Sequence, residues 1–134
     1  MNKKRAVLLF IDLDGLKIIN DTYGHDGGDE AIVIGAKILK DAFEDYGIIG
    51  RIGGDEFAVF LPNQNENSFC EIEQLIKEKT IYHNTLTKRD FKVELSYGIS
   101  LFDYNQQITV RELLDQADRQ MYRHKRNKRK NRRN

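Results

Sequence analysis

Cysteine is nearly absent from this chain of 134 residues. The single Cys70 cannot form a disulfide within the chain, so a reducing compartment is expected, with Cys70 packed as a small, at least half-buried hydrophobe. Long apolar runs are also absent, because the longest, at residues 6–11, is far too short to span a bilayer. Acidic residues follow the basic start at once, without a small-residue cleavage site, so no signal peptide is predicted. These absences favour a cytoplasmic domain without a membrane segment.

Acidic residues are missing from the end of the chain. Residues 119–134 contain nine Lys or Arg and no Asp or Glu, so the formal net charge of +1 conceals an acidic body and a basic tail. One hypothesis for this tail is salt-dependent binding to nucleic acid or to another anionic surface. Because only Tyr122 interleaves with the cations and the acidic body would oppose such binding, nucleic acid is not predicted as the primary partner.

The remaining pattern is that of one domain, with 40% hydrophobic residues and a single proline. Residues 6–12 lack polar alternation, which is typical of a central strand buried on both faces. A turn, a short helix and a loop are predicted next. They are followed by a helix over residues 29–46 with Gly47 as its C-cap residue.

A β-hairpin is predicted in the middle of the chain, where two short strands, at residues 48–52 and 56–61, flank Gly53 and Gly54. Pro62 and the Asn-rich run after it end the hairpin. Three further elements are predicted: a helix over 68–82, a strand over 91–101 and a helix from 110 to about 126. The order β-α-β-β-α-β-α indicates an α+β fold with a ferredoxin-like βαββαβ core, in which helices cover one face of an antiparallel sheet.

Four acidic residues are expected to meet at one edge of this sheet. Asp12 ends the first strand and Asp14 follows it, while Asp55 and Glu56 lie at the hairpin. Clustered carboxylates need protons or cations, and hard oxygen ligands favour Mg²⁺ completed by phosphates and water, as in two-metal phosphoryl chemistry. The alternative is that Asp55 and Glu56 are ordinary solvated turn residues.

The chain resembles a known family at several motifs. Residues 53–57 read GGDEF, which resembles the signature of the GGDEF family of diguanylate cyclases. The family's first conserved block resembles DLDGLKIINDTYGHDGGDE, its Ser-x-Gly strand resembles LSYGIS, and its last helix resembles ADRQMYRHK. The resemblance implies a nucleotidyl-cyclase type of fold. It also implies an enzyme that condenses two GTP into cyclic di-GMP and two pyrophosphates, across a homodimer in which each domain holds one GTP.

The resemblance also implies a role for each matched residue. It implies Mg²⁺ or Mn²⁺ as the metal, with three ligands: Asp12, the backbone carbonyl of Leu13, and Asp55. It implies Asp55 and Glu56 as the catalytic acids, with Asp55 activating the 3′-hydroxyl and Glu56 supporting it. For the substrate, it implies guanine contacts by Asn20 and Asp29, phosphate contacts by Lys17, Lys125 and Arg129, and room for the nucleotide at Gly53 and Gly54. His25 is interpreted as structural.

Departures from the family pattern carry their own expectations. The family's product-inhibition motif falls on Glu44 and Gly47, neither of which can replace its Arg and Asp, so no feedback through that site is expected. Lys128 stands where a Gly is usual, which weakens the match around Arg129. The family's usual N-terminal segment does not precede the first strand, so the cyclase domain is assigned to residues 1–127 and the basic tail to 128–134. A sensor or receiver partner is implied, and a catalytically silent GTP-binding module is the alternative function.

Overall fold

The fold consists of four strands and three helices in the predicted order. A computed structural model describes residues 5–132, except for the side chains of residues 129, 131 and 132. The elements are β1 (Arg5–Leu13), α1 (Leu16–Phe43), β2 (Ile48–Arg51), β3 (Glu56–Pro62), α2 (Ser68–Leu86), β4 (Leu95–Asp103) and α3 (Val110–Arg132). The α+β class and the central position of β1 are confirmed, since the antiparallel sheet has the order β2-β3-β1-β4.

The two helices of the βαββαβ core cover one face of the sheet, as predicted, and α3, which lies outside that core, covers the other face. Alternate residues of β1, among them Leu9 and Ile11, pack with α1 and α2 in the main core. Phe10 points to the opposite face and packs against Ala117 and Met121 of α3. Because side chains alternate along a strand, Asp12 lies on the same face as Phe10 and therefore faces α3.

The first helix, α1, is broken at Gly24. This residue has φ 79° and ψ 178°, a conformation that is essentially restricted to glycine, so residues 16–23 and 25–43 form two helical segments. The predicted short helix is therefore present, but the loop expected after it is reduced to this break. The second segment begins before Asp29 and ends at Phe43, so the predicted limits of 29–46 are wrong at both ends.

Gly47 has a different role from the predicted C-cap. Glu44 is the cap residue of α1, and Gly47 does not adopt the left-handed conformation of a glycine cap. A β-carbon at Gly47 would instead lie 2.0 Å from the carbonyl oxygen of Phe60 on β3. Glycine is needed here because the chain passes close to the backbone of the sheet.

The strand β4 begins at Leu95, four residues later than predicted. The side-chain amide of Asn84 donates to the Val93 carbonyl oxygen and accepts from the Val93 N–H, both at 2.8 Å, and so occupies backbone groups that a strand would pair. Asn84 reaches Val93 from the last turns of α2, which continues to Leu86. Cys70 on this helix is exposed, so the prediction of a buried or half-buried cysteine is wrong.

The last helix, α3, packs along β4, which is an edge strand, and hydrogen-bonds to its backbone. Gln120 Oε1 accepts from the Ile99 N–H at 2.8 Å, and His124 Nδ1 accepts from the Tyr97 N–H at 3.1 Å. Burial and the nearby Lys128 ammonium lower the pKa of His124, which favours the neutral ring that can accept this bond. These contacts satisfy N–H groups that an edge strand would otherwise expose. The helix continues to Arg132, beyond the predicted end near residue 126.

Candidate active site

A buried carboxylate marks the end of β1 on the face covered by α3. Asp12 is 8% exposed, and its Oδ2 accepts a hydrogen bond from the Lys125 ammonium. Its Oδ1 is buried without a hydrogen-bond partner among the described residues. Burial, together with the neighbouring Asp55 carboxyl and against the opposing effect of Lys125, raises the pKa of Asp12 to about 6. The site therefore favours additional positive charge beside Asp12.

The hairpin brings Asp55 and Glu56 to this carboxylate, as predicted. Asp12 is directly opposite Glu56 in the β1–β3 register, and the Leu13 N–H donates to the Asp55 carbonyl oxygen at 3.0 Å. Directly opposed residues point to the same face of a sheet, so Glu56 lies on the face that carries Asp12. Three acids thus lie together where β1 ends and β3 begins.

The glycines of the hairpin are not required by the packing of the chain. Neither Gly53 nor Gly54 has a positive φ. A β-carbon at Gly54 would have no neighbour within 4 Å, and one at Gly53 would meet only Glu56 Oε2, at an ordinary 3.7 Å. No contact within the described chain therefore explains why these positions are glycine. The open space beside their backbone agrees with the expected close approach of a nucleotide.

Arg51 shapes the hairpin, although the sequence did not identify it as a functional residue. Its Nε donates to the Gly53 carbonyl oxygen at 3.1 Å, and its NH2 nitrogen donates to that of Gly54 at 2.9 Å. A guanidinium group can make two such bonds at once because its donors form a rigid fork. The sequence does contain a sign of this role, because Arg51 lies two residues before a glycine pair whose carbonyl groups its guanidinium can reach.

Replacing Arg51 with lysine is expected to loosen the hairpin turn. Lysine keeps the charge but cannot donate to both carbonyls in this geometry, so amide exchange at residues 52–55 should rise about tenfold. Hydrogen exchange measured by NMR would test this, with Arg119→Lys as a control on the exposed surface of α3. Unchanged exchange in the turn would contradict a bracing role for Arg51.

Asp14 does not join the acidic cluster, which corrects the prediction that four acids converge. Its Oδ1 accepts from Ser96 Oγ at 2.7 Å, and its Oδ2 accepts from the Lys128 ammonium at 2.8 Å. Both oxygens are thus occupied by protein donors. The sequence placed Asp14 correctly beside the strand end but could not show that β4 and α3 supply these partners.

The two residues expected to contact guanine lie near the break in α1. Asn20 belongs to the segment before Gly24, and Asp29 belongs to the segment after it. A β-carbon at Gly28 would lie 1.7 Å from Asn20 Oδ1, so the Asn20 amide packs directly on the backbone next to Asp29. Asp29 is exposed, and so is Lys17 in the first segment. His25 is also exposed and directly follows the break.

The structure does not test the phosphate contacts that are expected on α3. Lys125 reaches the site, where its ammonium pairs with Asp12. The side chain of Arg129 lies outside the described residues.

Glu44 and Gly47, at the positions of the family's inhibitory motif, line a largely apolar groove of about 530 Å³ between α1 and β2.

A divalent cation fits the donors at this site. The described residues contain no group of three His, Cys, Asp or Glu side chains that could hold a metal ion. Two carboxylates, from Asp12 and Asp55, do meet beside the backbone of Leu13, and Asp12 Oδ1 has an unsatisfied acceptor. Mg²⁺ is commonly held by one or two carboxylates, with substrate phosphates and water completing its coordination. The residues present agree with such a site.

Comparison with known proteins decides the family. The family model for "Diguanylate cyclase, GGDEF domain" matches residues 1–131. The chain belongs to this family. Its GGDEF domain is 37% identical over 126 residues to a probable diguanylate cyclase, DgcC, of Escherichia coli K12, covering 92% of this chain and 33% of that protein. It is 29% identical over 117 residues to a diguanylate cyclase of Vibrio cholerae, covering 87% of this chain and 36% of that protein.

The solved structures agree with the fold of the GGDEF domain. The active GGEEF domain of a diguanylate cyclase from Vibrio cholerae matches with a TM-score of 0.77 and 28% identity, covering 92% of this chain and 78% of that chain. The present chain spans only about a third of the length of the curated relatives described above.

Within residues 5–132, no helix is both long enough and apolar enough to cross a membrane.

Proposed function

We propose that this GGDEF domain is an active diguanylate cyclase that condenses two GTP into cyclic di-GMP and releases two pyrophosphates. The observation that carries the proposal is the buried Asp12 carboxylate beside Asp55, with one oxygen unsatisfied. A buried carboxylate with an unsatisfied oxygen lowers the free energy of unfolding unless a ligand compensates its charge, and acids of this kind are concentrated at functional sites. An inert surface turn would not need this arrangement.

The acidic cluster is assigned to Mg²⁺ or Mn²⁺ and to the attacking hydroxyl group. Asp12, Asp55 and the Leu13 carbonyl are the proposed metal ligands, and a bound divalent cation would stabilise negative charge on the phosphates and favour deprotonation of the 3′-hydroxyl. Asp55 would also orient that hydroxyl, and Glu56, the next residue in the chain, would support Asp55. The backbone at Gly53 and Gly54 leaves space for the nucleotide.

The substrate is proposed to bind across the first turns of α1 and the end of α3. Asn20 and Asp29 would read guanine, because a carboxylate accepts from its N–H donors and an amide matches its mixed donor and acceptor edge. Lys17 would contact phosphate. Lys125 would exchange its bond to Asp12 for a phosphate oxygen, and Arg129 is proposed as a further phosphate contact.

A homodimer is proposed as the active form. Each copy supplies one set of acids and one pair of base-reading residues, whereas the reaction joins two GTP molecules. Two copies with facing sites would bring the 3′-hydroxyl of one nucleotide to the α-phosphate of the other, as proximity requires. An upstream sensor or receiver domain and a cytoplasmic location are also proposed, from the resemblance to the family.

Turnover distinguishes this proposal from a silent GTP-binding module. Concentrated protein would be incubated with GTP and Mg²⁺, and the nucleotides separated by chromatography and identified by mass spectrometry. The proposal expects cyclic di-GMP and pyrophosphate in a ratio of one to two. Bound but unchanged GTP would support the silent module instead. In a separate gel-mobility assay, a shift of DNA that disappears with added salt would support the hypothesis of binding to an anionic surface.

Substitution of Asp29 with asparagine is expected to weaken discrimination between purine nucleotides. The amide presents an N–H group where the carboxylate accepted two donors, so GTP binding should weaken about tenfold to a hundredfold while ATP binding changes little. Titration calorimetry with non-hydrolysable GTP and ATP analogues would measure both affinities. Asp26→Asn, at another exposed acid after the break, is the matched control.

A further inference from the structure

A second ion pair lies beside the candidate active site and involves a residue that the proposed function does not use. Lys128 Nζ donates to Asp14 Oδ2 at 2.8 Å and to the Leu95 carbonyl oxygen at 2.6 Å. Ser96 Oγ donates to the other oxygen of Asp14 at 2.7 Å. The Lys128 and Asp14 side chains are only 27% and 19% exposed, so this cluster is partly shielded from water.

This cluster fixes the loop that follows β1. The Asp14 N–H donates to the Glu94 carbonyl oxygen at 2.9 Å, and the next residue, Gly15, has a left-handed φ of 68° that turns the chain into α1. The loop is therefore attached to the start of β4 through backbone and side chain, and to the end of α3 through Lys128. Asp12 and Leu13 immediately precede it, so any shift of the loop would shift the proposed metal ligands.

The two lysines of α3 at this site differ in how firmly they are held. Lys125 pairs with Asp12, an acid that retains an unsatisfied oxygen and faces another acid, Asp55. Lys128 pairs with Asp14, whose oxygens are both satisfied, and also bonds a backbone carbonyl that cannot be protonated. A cation bound at the open Asp12 Oδ1 would therefore let Lys125 leave without stranding an unpaired acid, whereas both Asp14 oxygens are already occupied.

We propose that Lys128 is a positioning residue that holds the end of α3 against the loop at Asp14 while Lys125 moves between Asp12 and a nucleotide phosphate. The movement of Lys125 rests on the proposed function, whereas the attachment by Lys128 does not. Lys128 acts as a fixed point one helical turn from the mobile lysine. It thereby sets both the reach of Lys125 and the position of the Leu13 carbonyl.

A pair of matched variants tests this role without nucleotide. Lys128→Met removes the ammonium but keeps a long side chain of similar helix propensity, and Lys130→Met makes the same change at an exposed position of the same helix. Amide exchange at residues 13–15 and 122–128 should rise about fivefold to tenfold in Lys128→Met and stay unchanged in Lys130→Met. Equal effects of the two variants, or none in Lys128→Met, would overturn the proposal.

A second measurement separates a specific attachment from a general loss of charge. Asp14→Asn should reproduce the exchange increase of Lys128→Met, and the double variant should show no further increase, because the two residues act through one contact. Additive increases would overturn the pairing. Affinity for a non-hydrolysable GTP analogue with Mg²⁺ should fall about tenfold in Lys128→Met and in Asp14→Asn and stay unchanged in Lys130→Met. Because exchange is read without nucleotide, it decides the attachment even where the unmutated protein shows no turnover.

Discussion

Cyclic di-GMP formation is expected to fall at least about 10³-fold when Asp55 is replaced with asparagine. The amide has nearly the same shape but removes one of the two carboxylates that meet at the proposed cation site. The fold should persist, since the contact between Asp55 and β1 is made by its backbone carbonyl, which accepts from the Leu13 N–H. Chromatography and mass spectrometry of the products would measure the loss.

The control for this experiment is Asp45→Asn, at an exposed acid after α1, which should leave turnover unchanged. Urea unfolding of Asp55→Asn should show a midpoint equal to or above that of the unmutated protein, because Asp12 no longer faces a second carboxylate. Retained turnover would remove Asp55 from the mechanism. A large loss of stability would instead assign it a structural role.

A loss of about 3 kcal/mol in the free energy of unfolding is expected for Gly98→Ala. The new β-carbon would lie 1.9 Å from the carbonyl oxygen of Ala117 on α3. That atom belongs to a helical backbone, so the clash can be relieved only by moving α3 away from β4. Displacement of α3 would also withdraw Lys125 from Asp12, so nucleotide binding should weaken in the same variant.

Gly50→Ala is the matched control, because Gly50 is also a strand glycine on this face of the sheet and a β-carbon there would have no neighbour within 4 Å. Its free energy of unfolding should stay within about 0.5 kcal/mol of the unmutated value. Urea unfolding monitored by circular dichroism would compare the two. Equal midpoints for the two alanine variants would show that α3 does not pack against β4 as closely as the structure places it.

The sequence predicted those features that depend on neighbouring residues. The unbroken apolar run of β1 and the glycine turn between two strand-like runs were sufficient for the order of these elements along the chain, since period and turn chemistry are local signals. The motifs likewise located Asp12, Asp55 and Glu56 at one edge of the sheet. Their meeting follows from the topology that these local signals imply.

The features that were missed depend on residues distant in the chain. The start of β4 is set by Asn84, and the fate of Asp14 is set by Lys128, which lies 114 positions away. The position of α3 on the second face follows from Phe10, which a continuous apolar run cannot assign to either side. No local pattern indicates which of several acids a distant lysine will bind, so only the folded structure could separate Asp12 from Asp14.

The break at Gly24 divides the proposed base-reading residues between two helical segments. Asn20 is carried by one segment and Asp29 by the other, so the backbone angles at Gly24 set the direction in which the second segment leaves the first. Any side chain at position 24 would strain these angles, although a β-carbon there would touch no atom within 4 Å. Under the proposed function, a substitution at Gly24 would therefore alter purine selectivity, although Gly24 has no side chain with which to read a base.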